Sequence, residues 1–234
     1  ESSSYYFDIN PGPAEEIIEN NYGGGNICYL IKLDPDGNYL WGKVFNMVRS
    51  TSDYVIDLKI GSDNNIYSLM SLTTYTGTTS IQNANIVITK FDPSGNELMV
   101  KSIRDLNTTY QSSISPSSFD LDSSNNIFLT GYFIDDIVLN TSNPNLNLSA
   151  NGWGNYIIKM NSNFDILWSK SYDYLYSLFE SIKIRPDNNV NILCSITDQT
   201  TSEYSVKLMK INNISSNLIW EKSFQNLIPI AFHI

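Results

Sequence analysis

"KLDPDGNYLWGKVF" occupies positions 32–45 and reads as two short strands joined by a tight turn. Pro35 presets the first central position of a type I turn, Asp36 fills the second, and Gly37 takes the left-handed conformation that closes a bulged hairpin. The pattern returns as "KFDPSGNELMVKSI" from Lys90, "KMNSNFDILWSKSY" from Lys159 and "KINNISSNLIWEKSF" from Lys210. The flanks persist while the turn drifts. The last two copies lack the glycine, so their turns are expected to be looser or one residue longer.

A second landmark runs in step with the first. "SDNNIYSLM" at Ser62 returns as "SSNNIFLTG" at Ser123 and "PDNNVNILC" at Pro186, with the Asn-Asn pairs 61 and 63 residues apart. An internal repeat of long period marks an architecture of stacked like units. Each unit divides into four strands. The first strands, 55–60, 118–122, 181–185 and the terminal 230–234, alternate apolar and polar residues with the period of two that marks a strand. The second strands follow the Asn-Asn turn at 66–72, 127–133 and 190–196. The third, at 27–33, 86–91, 156–160 and 206–211, are rich in branched and aromatic residues. The fourth carry Trp41/Lys43/Phe45, Met99/Lys101/Ile103, Trp168/Lys170/Tyr172 and Trp220/Lys222/Phe224. Runs such as "ICYLI" and "NIVI" alternate poorly, as strands do when both faces are covered.

These elements predict an all-β chain, a β-propeller of about four four-stranded antiparallel blades with units near 1–54, 55–118, 119–180 and 181–234. A β-sandwich is the runner-up, but it has no need of the same hairpin four times. No helix of consequence is expected; 14–20 reads as strand or loop. Residues 1–45 resemble a blade without its first strands, and "PIAFHI" resembles a first strand with nothing after it. The ring therefore either closes by joining the two ends or belongs to a larger propeller.

Of fourteen basic residues, eight fall on two repeat positions: Lys32, Lys90, Lys159 and Lys210, then Lys43, Lys101, Lys170 and Lys222. The hairpin sets Lys32 across from, or diagonal to, Trp41, so its stem is expected to lie on the indole with the ammonium in water. Edge protection and solubility explain the same lysines. Either role is structural.

The remaining composition excludes several classes. Apolar residues make up 41% of the 234 residues, charged residues 16%, and the net charge is −10. Such a field repels nucleic acid and anionic membrane surfaces. No apolar run approaches the roughly 18 residues a bilayer span requires. The opening "ESSSYYFDINPGP" is not a signal peptide, and a processed or truncated product is expected. Cys28 and Cys194 sit in apolar strand-like runs and read as buried thiols.

The N-terminal run "SYYFDINPGPAEEIIENNYGGGNICYLIKLDPDGNYLWGKVF" resembles the repeat of secreted and surface β-propeller proteins of Bacteroidota. There, a segment like "DFDPGPG" precedes a Gly-rich turn and then a "K-x-D-x-x-G-N-x-x-W-x-K" hairpin. Asp8, Pro11, Gly12 and Pro13 match the first part; Lys32, Asp34, Gly37, Asn38, Trp41 and Lys43 match the second. The resemblance weakens steadily toward the carboxyl terminus. It implies an extracellular scaffold, often exported by the type IX secretion pathway, and no particular reaction. This chain departs from the pattern in its long inserts at 73–84 and 134–154.

Catalytic chemistry needs convergent ionisable groups. The single histidine, His233, lies at the carboxyl-terminal end on an apolar strand and reads as structural. Two cysteines and one histidine have no zinc-ligand spacing. Asp34, Asp36 and Asn38 have alternating oxygens, but the loop is too short for a calcium shell, and turn chemistry accounts for it. "YGGGN" at 22–26 lacks the lysine and helix of a phosphate loop. Asp57, Asp120 and Asp122, with Lys59, Lys183 and Arg185, fall on inner strands. They read as mutually neutralising charges or, in the enzymatic alternative, as channel-mouth carboxylates acting on polysaccharide. The sequons at Asn107, Asn140, Asn147 and Asn213 matter only on a glycosylating route.

The expectation for function is a non-catalytic binding or structural module of a secreted or cell-surface protein, with a protein or glycan partner and without cofactor or metal. A purely architectural subunit of a larger extracellular complex is the other alternative. The inserts are where contact residues are expected, with Tyr75, Asn83, Trp153 and Asn155 as candidates, since aromatic and amide side chains suit such contacts. Deleting either insert is expected to leave the fold intact.

Overall fold

The computed structural model describes residues 5–20, 28–45, 54–72, 74–76, 80–82, 85–106, 114–173, 177–197 and 203–225. Two compact units divide the chain: Glu1–Ile60 with Asn64–Ser102, and Gly61–Asp63 with Ile103–Ile234.

The first unit holds β1 (Tyr5–Asp8), β2 (Ile17–Asn20), β3 (Cys28–Leu33), β4 (Tyr39–Phe45), β5 (Tyr54–Ile60), β6 (Ile66–Ser71), β7 (Thr74–Thr76), β8 (Ser80–Gln82), β9 (Ile86–Phe91) and β10 (Glu97–Ile103). Strands β10-β9-β6-β5 form a four-stranded sheet, while β1–β2, β3–β4 and β7–β8 are two-stranded. The β3–β4 hairpin packs through Leu30 and Trp41 onto Ile66, Met70, Leu72, Val87 and Phe91 of the larger sheet. Burying each such side chain contributes about 1.5–3 kcal/mol relative to leaving it in water.

The second unit holds β11 (Ile114–Leu121), β12 (Ile127–Ile134), β13 (Trp153–Met160), β14 (Ile166–Tyr172), β15 (Ser177–Ile184), β16 (Val190–Thr197), β17 (Tyr204–Ile211) and β18 (Leu218–Gln225). They make two four-stranded antiparallel sheets, each in sequence order, β11 to β14 and β15 to β18. Phe128, Ile157, Trp168 and Tyr172 of one sheet meet Phe179, Ile182, Val190, Ile192, Cys194, Met209 and Ile211 of the other. First strand lies on first strand: Ile182 N donates to Ser118 Oγ at 3.4 Å and Ile184 N to Asp120 Oδ2 at 2.8 Å.

The chain is thus all-β, with four-stranded antiparallel sheets, as the two landmarks predict. The repeat extends below the level that letters reveal. Each first strand carries a bulge at the same place, between Val55 and Asp57, Pro116 and Ser118, and Phe179 and Ser181. The leading Asn of each Asn-Asn pair is left-handed, with φ of 59°, 60° and 63° at Asn64, Asn125 and Asn188. Asn tolerates that region because its short amide bonds locally. At one bulge the repeat demands glycine: a Cβ on Gly131 would lie 2.0 Å from the Ser115 carbonyl oxygen.

The hairpin turns are built as expected where glycine is present, with φ of 84° at Gly37 and 80° at Gly95. Asp34 Oδ1 accepts from the Asp36 and Asn38 amides, and its Oδ2 accepts from Asn38 Nδ2 at 2.9 Å. Asp92 does the same with Ser94 and Asn96. The two glycine-free turns part company. Residues 212–217 make the longer turn, with Ser216 N donating to the Asn212 carbonyl and φ of 56° at Ser216. Residues 161–165 keep the original length, contrary to the expectation of a looser turn, because Phe164 takes φ of 64° in the glycine's place. Its ring is buried, and that burial offsets the left-handed strain.

The inserts contain more regular structure than their polar composition suggests. Within 73–84, β7 pairs with β8; ahead of the repeat, β1 and β2 also make a hairpin. The insert at 134–154 closes with an Ile137–Leu148 bridge and a 3-10 turn at Pro144–Leu146. The terminal run 230–234, read as a first strand, lies outside the described residues, as does His233.

Candidate functional site

Four residues stood out in the inserts, and the structure gives them different surroundings. Tyr75 is in β7, paired across to Ile81; its side chain lies outside the described residues, and so does the whole of Asn83. Trp153 opens β13 and is 54% exposed. Its ring stacks on Tyr132 at 5.4 Å between centroids and 24° between planes. Gly152, left-handed at φ 88°, turns the chain into β13, and its carbonyl accepts from the Asp135 amide at 2.8 Å. The exposed Asp135 and Asp136 therefore border a flat aromatic surface. Aromatic faces flanked by hydrogen-bonding groups are the common currency of protein and sugar contacts.

Asn155, by contrast, is buried. Its Nδ2 donates to Ser177 Oγ at 2.8 Å and its Oδ1 accepts from the Phe179 amide at 2.9 Å. It pins the start of β15 to β13 and presents nothing to solvent. The insert at 134–154 is likewise part of the core: Ile137 and Leu148 are buried, the Val138 amide donates to the buried Asp105, and Ser169 Oγ donates to the Leu146 carbonyl at 2.6 Å. Removing it whole would open the sheet it covers, so the expectation that it deletes cleanly is corrected.

The repeated lysines and tryptophans form the most regular chemical feature of both units. Lys32 and Trp41 are direct cross-strand partners, as are Lys159 and Trp168. In each pair both side chains reach the turn of the next sheet. Lys32 Nζ and Trp41 Nε1 donate to the Pro93 carbonyl at 2.6 and 3.2 Å. Trp168 Nε1 and Lys159 Nζ donate to the Asn213 carbonyl at 3.1 and 3.4 Å, and Lys159 also reaches Asn213 Oδ1. Lys170 Nζ adds a bond to the Ser216 carbonyl at 2.8 Å. The ammonium expected in water is thus spent on a neighbouring backbone. Lys159 lies over Phe128 at 5.0 Å and Lys90 over Tyr67 at 5.1 Å, both second-strand rings, while Lys170 lies over Tyr172 of its own strand at 5.6 Å. Burial pulls the Lys159 pKa down, with the Asp122 carboxylate opposing.

The carboxylates of the enzymatic reading are each engaged locally. Asp57 pairs with Lys59 at 2.6 Å on the same strand. Asp120 caps a β15 amide, and Asp122 clasps the Ser124 and Asn126 amides of its own turn. Asp34 has both oxygens in its turn, and its pKa is lowered chiefly by Asn38. Among the described residues no group of three or more His, Cys, Asp or Glu is placed to hold a metal. Burial pushes the Cys194 thiol up to about 11; the Cys28 side chain lies outside the described residues. Asn213, a sequon, is buried under Lys159 and Trp168.

A cavity of about 540 Å³ opens in the first unit, lined by Leu30, Lys32, Trp41, Leu58, Ile60 and Ile66 among others. Its lining is apolar apart from Lys32, Lys59 and Asn64 and offers no acid–base pair. No helix among the described residues is long and apolar enough to cross a membrane. No protein-family model matches the chain, and no curated protein matches it.

Proposed function

We propose that the sheets are blades of a β-propeller and that the chain is a non-catalytic binding module of a secreted or cell-surface protein. The blade reading draws support from like-on-like stacking in the second unit, where β15 lies on β11 and a Lys–Trp pair clasps the next turn. Lys32, Lys159 and Lys170 clasp neighbouring turns, and Asp57, Asp120 and Asp122 are each bonded to framework groups, which speaks against these residues as catalysts. The contact function is carried by one observation, the half-exposed Trp153 stacked on Tyr132 beside two acidic residues at the edge of an ordered insert.

The partner is a protein or glycan that lays an apolar or sugar face on that surface. A glycan array and an affinity capture from the native source, each run with Trp153→Ala alongside, test it. Binding that drops about tenfold or more in the variant, the usual scale for an aromatic hot spot, supports the reading. Equal binding by both proteins removes Trp153 from the site. Hydrolysis in the same glycan panel, lost on Asp57→Asn or Asp120→Asn, would replace it with the enzymatic reading.

A further inference from the structure

Each unit seats a Trp–Lys pair of one sheet on the hairpin turn of the next, and the described residues also include one such pair without a turn and, at Asp34–Asn38, an exposed turn that meets no indole. The bare pair is on β15–β18. Lys210 and Trp220 are cross-strand partners, as Lys159 and Trp168 are. In sheet β11–β14 the face bearing Trp168 and Tyr172 covers its neighbour. The corresponding face of β18 bears Trp220, Lys222 and Phe224, with Lys222 exposed and Phe224 43% exposed. Lys210 meanwhile turns to Asp187 of its own sheet.

The bare turn is Asp34–Asn38. It matches the Asp92–Asn96 turn in sequence, in its aspartate clasp and in its left-handed glycine. The two differ in what touches that glycine. A Cβ on Gly95 would lie 2.9 Å from the Trp41 ring, and Gly95 is buried; a Cβ on Gly37 would meet nothing within 4 Å, and Gly37 is exposed. The turn carries Asp34 and Asp36, and the β18 face carries the exposed Lys222, so the charges are complementary. Lys43 already exerts this kind of pull on Asp92.

We propose that Trp220 and Lys222 are a docking seat for the Asp34–Asn38 turn of a second copy of this chain. Trp220 Nε1 donates to the Pro35 carbonyl and Lys222 Nζ to the Gly37 carbonyl, the counterparts of the bonds made by Trp168 and Lys170. The two surfaces differ, so the contact is head-to-tail and extends beyond a dimer unless it closes into a ring. This inference rests on the clasp geometry and is independent of the Trp153 contact.

Sedimentation of the full chain across a concentration series tests it, with Trp220→Ala, Lys222→Glu and Gly37→Asn alongside. Asn keeps the left-handed turn but places a side chain where the indole would sit. Wild type is expected to associate, each variant to weaken association by about thirty-fold as for a buried Trp anchor, and circular dichroism to remain unchanged. A mixture of Trp220→Ala and Gly37→Asn retains one intact seat and one intact turn, so it is expected to form dimers and nothing larger. Wild type that stays monomeric at every concentration, or variants that associate as wild type does, overturns the proposal and gives the seat to another occupant.

Discussion

Trp168 shows what a single side chain does in this protein. Its ring fills the space between two sheets while its Nε1 donates to the buried Asn213 carbonyl. Trp168→Phe keeps most of the ring and loses the donor; a drop of about 1 kcal/mol is expected, since Lys159 still reaches that carbonyl. Trp168→Ala also leaves a cavity and is expected to cost about 3–5 kcal/mol. Urea midpoints of the two variants separate packing from hydrogen bonding. Phe164 poses the opposite balance. Glycine there would relieve about 1–2 kcal/mol of left-handed strain but remove a buried aromatic ring worth about 3–5 kcal/mol. Phe164→Gly is therefore expected to destabilise by about 2 kcal/mol, and a gain in melting temperature would refute the argument that burial holds the strained turn. The sequence shows a turn without glycine at 161–165; that a phenylalanine takes its place depends on a core the turn cannot see.

At the scale of elements, the paired turns make a controlled comparison. Gly37 and Gly95 both have positive φ, yet Trp41 lies against Gly95 alone. Gly37→Ala is expected to cost about 1 kcal/mol, the backbone component. Gly95→Ala adds displacement of a packed indole and is expected to cost about 2–4 kcal/mol. Thermal melts of the two variants check the difference, and equal losses would mean that the Trp41 contact carries no weight. The hairpins themselves were legible from "DPDGN" and "DPSGN", because turn chemistry is local. The inserts were not. Their Asn, Thr and Ser composition reads as loop, yet β7 pairs with β8 in the first insert and Ile137 bridges Leu148 in the second. Asn155 failed as a contact residue for the same reason: an amide reads as polar and exposed until a neighbouring strand supplies its partners.

For the whole molecule, the turn aspartates set the acid limit. Asp34 and Asp92 are held below the ordinary value mainly by Asn38 and Asn96, and Asp187 falls to about 2 through its bond to Lys210. A carboxylate with a lowered folded pKa stabilises fully above its unfolded value, near 3.9, and loses that contribution as pH falls through the folded value. Stability is therefore expected to be level from about pH 5 to neutrality and to decline between about pH 4 and 2. Asp34→Asn with Asp92→Asn should flatten that decline, and denaturant midpoints measured across the window decide it. The amino-acid sequence by itself determined the all-β class, the repeat of four strands and the hairpin positions. Each of those depends on neighbours a few residues apart, on strand period, turn residues and composition. Only the tertiary structure decided that the repeated lysines and tryptophans clasp the next sheet, that Asn155 is a buried pin and that Trp153 stands out on Tyr132. Those outcomes depend on which surfaces meet across about twenty to sixty residues of chain, and a local pattern holds no record of that distance.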